Sequence, residues 1–271
     1  MPIGALQDEA RLGPEIYLNR MNKLAQFGHP LTYPKVVALM QLKPGARVLD
    51  VGAGSGHFSR ELARRGYQVQ ATDLEHGQCK FAAEEIPFKP VNINMAGELP
   101  FESESFEAVA CVEIVEHLEN HYDLVRKCRR VLVRNGVIVI TTPNILNLAS
   151  RLKFLMTGHF SMFGHQHELL TSGRYFRPQA HISPCSYWEL RHSLHTNGFT
   201  IRRVGSEKIR KSALVLTPFL PLVWLCSQRQ ASAGAEKFGP EQIQRNREAV
   251  RHVLSAEVLF GKSLIVVATK D

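Results

Sequence analysis

The chain has 271 residues, 44% of them hydrophobic, and a formal net charge of +8. With no long polar tract, that length supports one or two domains with a full buried core. Cys79, Cys111, Cys128, Cys185 and Cys226 are widely spaced and form no CxxC pair, which argues against a disulfide framework and a cysteine zinc site. The opening "MPIGALQDEARLGPEIYL" carries acids and lacks the apolar centre of a leader peptide, so a reduced, cytosolic location is expected. The positive charge suits nucleic acid, anionic lipid or an acidic substrate, and equally a solvated basic surface. It is concentrated between Ser172 and Lys211, where eight arginines and lysines face only Glu189 and Glu207.

Residues 1–33 read as one or two short helices with loops. Pro34 suits the first turn of a helix in "PKVVALMQL". After the turn "KPGA", the apolar "RVLDV" reads as a buried strand. "HFSRELARRG" is helical and ends at Gly66. "YQVQATD" is a second strand, "EHGQCKFAAEEI" a helix, and "FEAVACVE" a strand. "LENHYDLVRKCRRVL" is a helix with a basic face, and Asn135–Gly136 turns the chain into the strand "VIVITTP". Later come the helix "SYWELRHSLHTNGF", the strand "TIRRV" and the strand "SLIVVATK". Strands alternating with helices imply right-handed crossovers and a parallel sheet covered on both faces. One domain over 1–271 is expected, with a helical cap at 1–40. Residues 144–180 and 206–262 are longer than connections need and are expected to be substrate-side or lid insertions.

The stretch "RVLDVGAGSGHFSREL" places Gly52, Gly54 and Gly56 between a strand and a helix. Such a corner turns tightly and lets a ligand approach the backbone. The dinucleotide fingerprint needs glycine at position 57, which is His57, and the Gly-Lys-Ser/Thr of a P-loop is absent. A nucleoside without a pyrophosphate is the expected ligand, against an ordinary tight turn. Asp73 closes the second strand 21 residues after Gly52. It can accept both ribose hydroxyls, or cap the helix that follows.

"VLDVGAGSGHF", "ATD", "ELPFESESFEAVACVEIVEHLEN" and "RVLVRNGVIVITTPN" resemble, in order and spacing, the motifs of the class I S-adenosylmethionine-dependent methyltransferases over residues 35–145. The ubiquinone-type and glycan- or lipid-tailoring O-methyltransferases are the nearest branches. The resemblance implies a Rossmann-like α/β fold: a doubly wound, seven-stranded sheet, mostly parallel, with "SLIVVATK" as a final antiparallel strand and helices on both faces. It also implies S-adenosylmethionine as cofactor. Asp50, Gly52, Ala53, Gly54 and Gly56 would hold the methionine end and Asp73 the ribose. Leu74 would pack on the adenine, and Met95, Ala96, Val112 and Glu113 would complete the site. Members often carry an acid or amide followed by alanine before "LPF". Here Met95 takes that place and Asn94 lies one residue earlier.

An oxygen acceptor needs a base, and histidine is suited to the task. Among twelve histidines, His181 is the first candidate, because the resembling enzymes place acceptor-site residues in that region. His165 and His167 follow, while His192 and His195 read as structural or surface residues. Glu113, Glu116 and His117 have the spacing of a divalent-metal cluster in ubiquinone-type enzymes, or simply open a helix with acids at its positive end. "ALVLTPFLPLVWLC", residues 213–226, is 14 residues without a charge. It is too short to span a bilayer. The leading reading is a buried lid or oligomer contact, and the alternative is a peripheral membrane contact on the inner face of a membrane, flanked by Lys208, Arg210, Lys211 and Arg229. The expected function is methyl transfer to a small-molecule or lipid-linked acceptor, with no specific nucleic-acid module. The competing readings are methylation of nucleic acid or protein, and a non-catalytic nucleoside-binding scaffold at a membrane.

Overall fold

The computed structural model describes residues 31–74, 86–163, 170–171, 174–175, 181–232 and 235–271. Helix α1 (Thr32–Met40) leads into β1 (Arg47–Val51), α2 (His57–Arg64) and β2 (Gln68–Asp73). The short β3 (Phe88–Pro90) and β4 (Phe106–Val112) follow, then a 3-10 turn (Val115–His117), α3 (His121–Val131) and β5 (Leu132–Pro143). Helix α4 (Leu148–Thr157), the small ladder of β6 (Leu170–Thr171) and β7 (Arg174–Tyr175), α5 (Tyr187–Thr196) and β8 (Phe199–Gly205) come next. The last elements are α6 (Lys211–Leu214), a 3-10 turn (Thr217–Phe219), α7 (Leu220–Ser232), α8 (Ala235–Val253), α9 (Ala256–Phe260) and β9 (Ser263–Lys270).

The seven-stranded sheet runs β3-β2-β1-β4-β5-β9-β8, and β9 is antiparallel to both of its neighbours. The expected doubly wound sheet is therefore what the chain forms. Strand order reverses between β1 and β4, so the crevice for a ligand opens beyond their carboxyl ends. Alternation within β1 feeds two cores. Leu49 and Val51 join Val109, Ile138, Leu124 and Leu190 on the face covered by α3 and α5. Val48 joins Val36, Phe58 and Leu62 on the face covered by α1 and α2. Both faces are buried, which is why "RVLDV" carries almost no polar alternation.

Four expectations need correction or restriction. Strand β3 was not foreseen: "FKP" is three residues long, and its proline is tolerated because the strand lies at the sheet edge. Asn135–Gly136 does not precede the fifth strand but lies inside it. Leu132 pairs with Phe106, the register then shifts so that Val137 meets Ala108, and Asn135 takes a φ of 60° in between. The basic face of α3 is solvated only in part: Arg126 is exposed, but two of its cations turn to the protein. Buried Lys127 meets Asp123 at 2.5 Å and the Ile93 carbonyl at 2.9 Å, and Arg130 donates to the carbonyls of Leu99 and Phe101. These cations fasten the loop before β4 and are unavailable to a partner. The helix expected over "EHGQCKFAAEEI" falls, except for Ile86, outside the described residues.

The apolar stretch 213–226 is not a buried lid. Only Ala213 within it is buried, and Phe219, Leu222 and Trp224 are each more than half exposed. Among the described residues no helix is long and apolar enough to cross a membrane. Cys111, Cys128, Cys185 and Cys226 are free thiols.

Candidate active site

The glycine corner is built on left-handed backbone. Gly52, Gly54 and Gly56 have φ values of 78°, 53° and 75°. Any side chain is strained there. Gly52 carries a second demand, because a Cβ at that position would meet Ile114 at 2.8 Å. Gly54 has no atom within 4 Å of such a position. The corner is therefore closed beneath Gly52 and open over Gly54, as a cradle for a ligand requires. The Gly52 and Ala53 amides donate to the Thr72 carbonyl at 2.9 and 3.1 Å, tying the turn to β2.

Asp73 completes the corner. Its carboxylate accepts the Gly54 amide at 2.7 Å and the Leu74 amide at 2.6 Å. A carboxylate has about four acceptor positions, and these two amides take two of them. Asp73 thus shapes the glycine turn as well as facing the crevice. Asp73→Ala should remove both amide bonds and any ribose contact, each worth about 1.5–3 kcal/mol for a charged acceptor. Calorimetry with S-adenosylmethionine should show at least tenfold weaker binding. An unchanged dissociation constant in a folded variant would assign Asp73 to the turn alone.

Asp50 does not open onto the crevice as expected. Its strand parity is that of Val48, so it points under α2, is 1% exposed and accepts the Ser59 hydroxyl. Burial pushes its pKa up to about 7, against the opposing hydrogen bond from Ser59. Leu74 and Met95 are exposed, at 47% and 82%, whereas Ala96 and Val112 pack into the core face. Asn94 accepts the Glu119 amide at 3.1 Å. Tyr33 was not anticipated. Its ring lies 5.0 Å from Phe58, and its phenol is pushed up by burial and by the carboxylates of Asp50 and Glu113. The residue before Pro34 was the signal available for it.

The exit of β4 carries the second half of the site. Glu113 has a φ of 52°, an uncommon conformation for a side chain of this size. Thr141 holds it there: the Glu113 amide donates to Thr141 Oγ1 at 3.0 Å, and that hydroxyl donates to Glu113 Oε1 at 2.8 Å. Glu116 is fully buried, and neither of its carboxylate oxygens has a hydrogen-bond partner of ordinary geometry. Burial, and then the neighbouring Glu113, raise its pKa well above the usual carboxylate range. The Ile182 and Ser183 amides both donate to the Glu116 carbonyl, at 2.9 and 3.0 Å.

That pair of bonds brings His181 to the site. Its ring centroid lies 4.8 Å from His117 and 5.3 Å from Phe163, and its Nδ1 is 3.2 Å from the Met162 carbonyl. Burial, then the adjacent His117, lower its pKa to about 4, so the ring is neutral at physiological pH. Ligand atoms of Glu116, His117 and His181 all lie within 4.8 Å of one another. The expected trio of Glu113, Glu116 and His117 is thus redrawn, with His181 in the place of Glu113. His165 and His167 lie outside the described residues. His192 and His195 sit exposed on α5, and His195 Nε2 contacts Arg191 at 3.0 Å.

Residues 49–140 match the family described as "Methyltransferase domain". A ubiquinone biosynthesis O-methyltransferase of Xanthomonas campestris pv. campestris is 34% identical over 140 residues, 49% of this chain and 54% of that protein. The enzyme of the same name from Xanthomonas oryzae pv. oryzae is 33% identical over the same shares. The chain spans about half the length of these curated relatives. Two solved S-adenosylmethionine-dependent methyltransferases share the fold. The one from Archaeoglobus fulgidus has a TM-score of 0.52 at 17% identity, covering 99% of this chain and 100% of the other. The one from Mesorhizobium loti has a TM-score of 0.51 at 17% identity, covering 89% and 99%. The glycine corner, the acid that closes β2, the strand order and these likenesses agree, and residues 49–140 carry a methyltransferase domain of the class I S-adenosylmethionine-dependent type.

Proposed function

We propose that this chain transfers a methyl group from S-adenosylmethionine to an oxygen of a small-molecule acceptor, with His181 receiving the acceptor's proton. The observation that supports this reading is the fastening of residues 182–183 to the Glu116 carbonyl, which sets His181 beside the exit of β4. The name of the Xanthomonas relatives favours oxygen as the acceptor atom. When bound, S-adenosylmethionine supplies an electrophilic methyl on a sulfonium. The backbone of Gly52–Gly56 and the Asp73 carboxylate would hold it. Alignment of two reactants in such a crevice is worth about 7–11 kcal/mol.

The Met162 carbonyl can only accept, so His181 Nδ1 carries the hydrogen and Nε2 is the basic nitrogen. An imidazole of lowered pKa takes a proton only late, as the oxygen gains its bond to carbon and its O–H turns strongly acidic. The sequence after β5, from Ile145 to Phe163, is apolar and includes Met162 and Phe163 beside His181. An acceptor with an apolar tail fits such a wall. Methylation of nucleic acid is less well supported, because the sequence carries no recognisable nucleic-acid module.

A second reading has its own observation. The unpartnered, buried Glu116 carboxylate with two adjacent imidazoles is a donor set that fits a divalent cation. Glu116, His117 and His181 would hold such an ion, which would acidify a bound phenol. Incubation with radiolabelled methyl donor and a catechol, with and without EDTA, tests both. Labelled methyl ether insensitive to EDTA supports the base. Activity lost in EDTA and restored by magnesium supports the ion. Label found only in protein or RNA, or in nothing, overturns methylation of a small molecule.

A further inference from the structure

Among the described residues, helices α4 and α7 carry large apolar side chains that no other element covers. Leu216, Leu220 and Val223 turn inward and pack, with Ala149 and Phe260, against the buried Leu148, Ala213 and Leu259. Outward stand Leu155 at 78% exposure, Met156 at 74%, Val215 at 76%, Phe219 at 58%, Leu222 at 59% and Trp224 at 55%. Monomeric chains rarely leave so many large apolar side chains together in water.

Charge decides what fits this surface. Residues 144–163 and 208–232 contain no Asp or Glu. They contribute Lys153, Lys208, Lys211 and Arg229, all exposed, and the half-buried Arg210. We infer that the α4–α7 face docks on an anionic lipid surface, with Phe219, Leu222 and Trp224 entering the boundary between headgroups and acyl chains and the lysines and arginines meeting lipid phosphates. A second copy of this chain fits less well, since a two-fold contact brings two cationic rims into one interface with no acid in either segment to pair them. An apolar helix rimmed by cations is the pattern that lies in a membrane interface.

The surface is rigidly joined to the active-site edge of the sheet. Asn144, next after β5, donates to the carbonyls of Val258 and Gly261 at 2.9 and 3.0 Å. Asn147 caps α4 by accepting the Ser150 amide at 2.9 Å. Docking therefore presents the crevice to the bilayer at a fixed offset. This deepens the methyl-transfer reading, on which it rests for its purpose: the acceptor is drawn from the lipid phase.

The chain has two tryptophans, so a Trp188→Phe background leaves Trp224 as the only reporter. Vesicles rich in phosphatidylglycerol should shift Trp224 emission to the blue and carry the protein down on sedimentation. Vesicles of phosphatidylcholine alone, or high salt, should do so far less. Lys208→Glu with Lys211→Glu should weaken binding by more than about tenfold. Leu222→Glu should abolish it with unchanged circular dichroism and unchanged methylation of a water-soluble catechol. Trp224 already blue-shifted in buffer and insensitive to vesicles would show that another part of the chain covers the face. Dimerisation on ultracentrifugation without vesicle binding would show that a second copy does. Either result overturns the inference. Vesicle binding requires no turnover, so its failure and the failure of methyl transfer are read separately.

Discussion

His181→Ala should lower the turnover number by about two to four orders of magnitude, the usual contribution of a positioned acid or base. The dissociation constant for S-adenosylmethionine should stay within a few-fold, because the proposed cofactor cradle is at the ends of β1 and β2 and His181 arrives from the segment before α5. His181→Gln is the sharper variant. It keeps a donor for the Met162 carbonyl and much of the volume against His117 and Phe163, yet cannot accept and release a proton. Equal losses in both variants, with intact cofactor binding, support proton transfer. Turnover within about threefold of the parent would remove His181 from the chemistry.

Gly52→Ala should be the most damaging single substitution at the cofactor corner. A left-handed alanine costs about 1–2 kcal/mol. Its methyl would lie 2.8 Å from Ile114 Cγ1 and Cδ1 and 2.9 Å from Ile114 Cβ, and such overpacking typically costs about 1–3 kcal/mol. Against a net stability of about 5–15 kcal/mol, thermal unfolding should move down by on the order of ten degrees. Gly54→Ala meets no neighbouring atom and should lose only the conformational part, while still obstructing the cofactor. Ile114→Ala combined with Gly52→Ala should cost less than the sum of the two. Additive losses, or equal melting points for the two glycine variants, would refute the steric account.

The fold was legible where hydrophobic period and turn chemistry agree. The runs at 47–51, 106–112 and 263–270 have strand length and burial on both faces, and capping chemistry marks α5, where Ser186 and Glu189 form a reciprocal cap. Strand β3 escaped because three residues with a lysine and a proline have no period to read. At the site, the glycine corner and Asp73 were visible because each is local. The place of Asp50 was expected from the resemblance alone, and sheet parity shows that it turns under α2 to Ser59. The union of Glu116 with His181 spans 65 positions of sequence and depends on backbone amides, which carry no residue signature. The exposure of Phe219, Leu222 and Trp224 was hidden for a different reason. An uncharged run reads alike whether protein or lipid is its solvent.

Strands β8 and β9 are neighbours, with Gly205 opposite Ile265, and the ladder continues past them through the Ile209–Gly261 bridge and the Lys262 amide on the Lys208 carbonyl. The whole α6–α9 region therefore leaves and re-enters the sheet at one place, as the loop of a single hairpin. Closure entropy grows only slowly with loop length, so the pairing of those two strands tolerates changes of length in the exposed α6–α7 part, whereas α8 and α9 place Ala249, Val253 and Val258 in the core. Catalytic corner and docking face can then diverge on separate schedules. A lineage can lengthen, shorten or exchange the outer helices and so redirect the domain to another surface, while the glycine turn and its strands remain untouched.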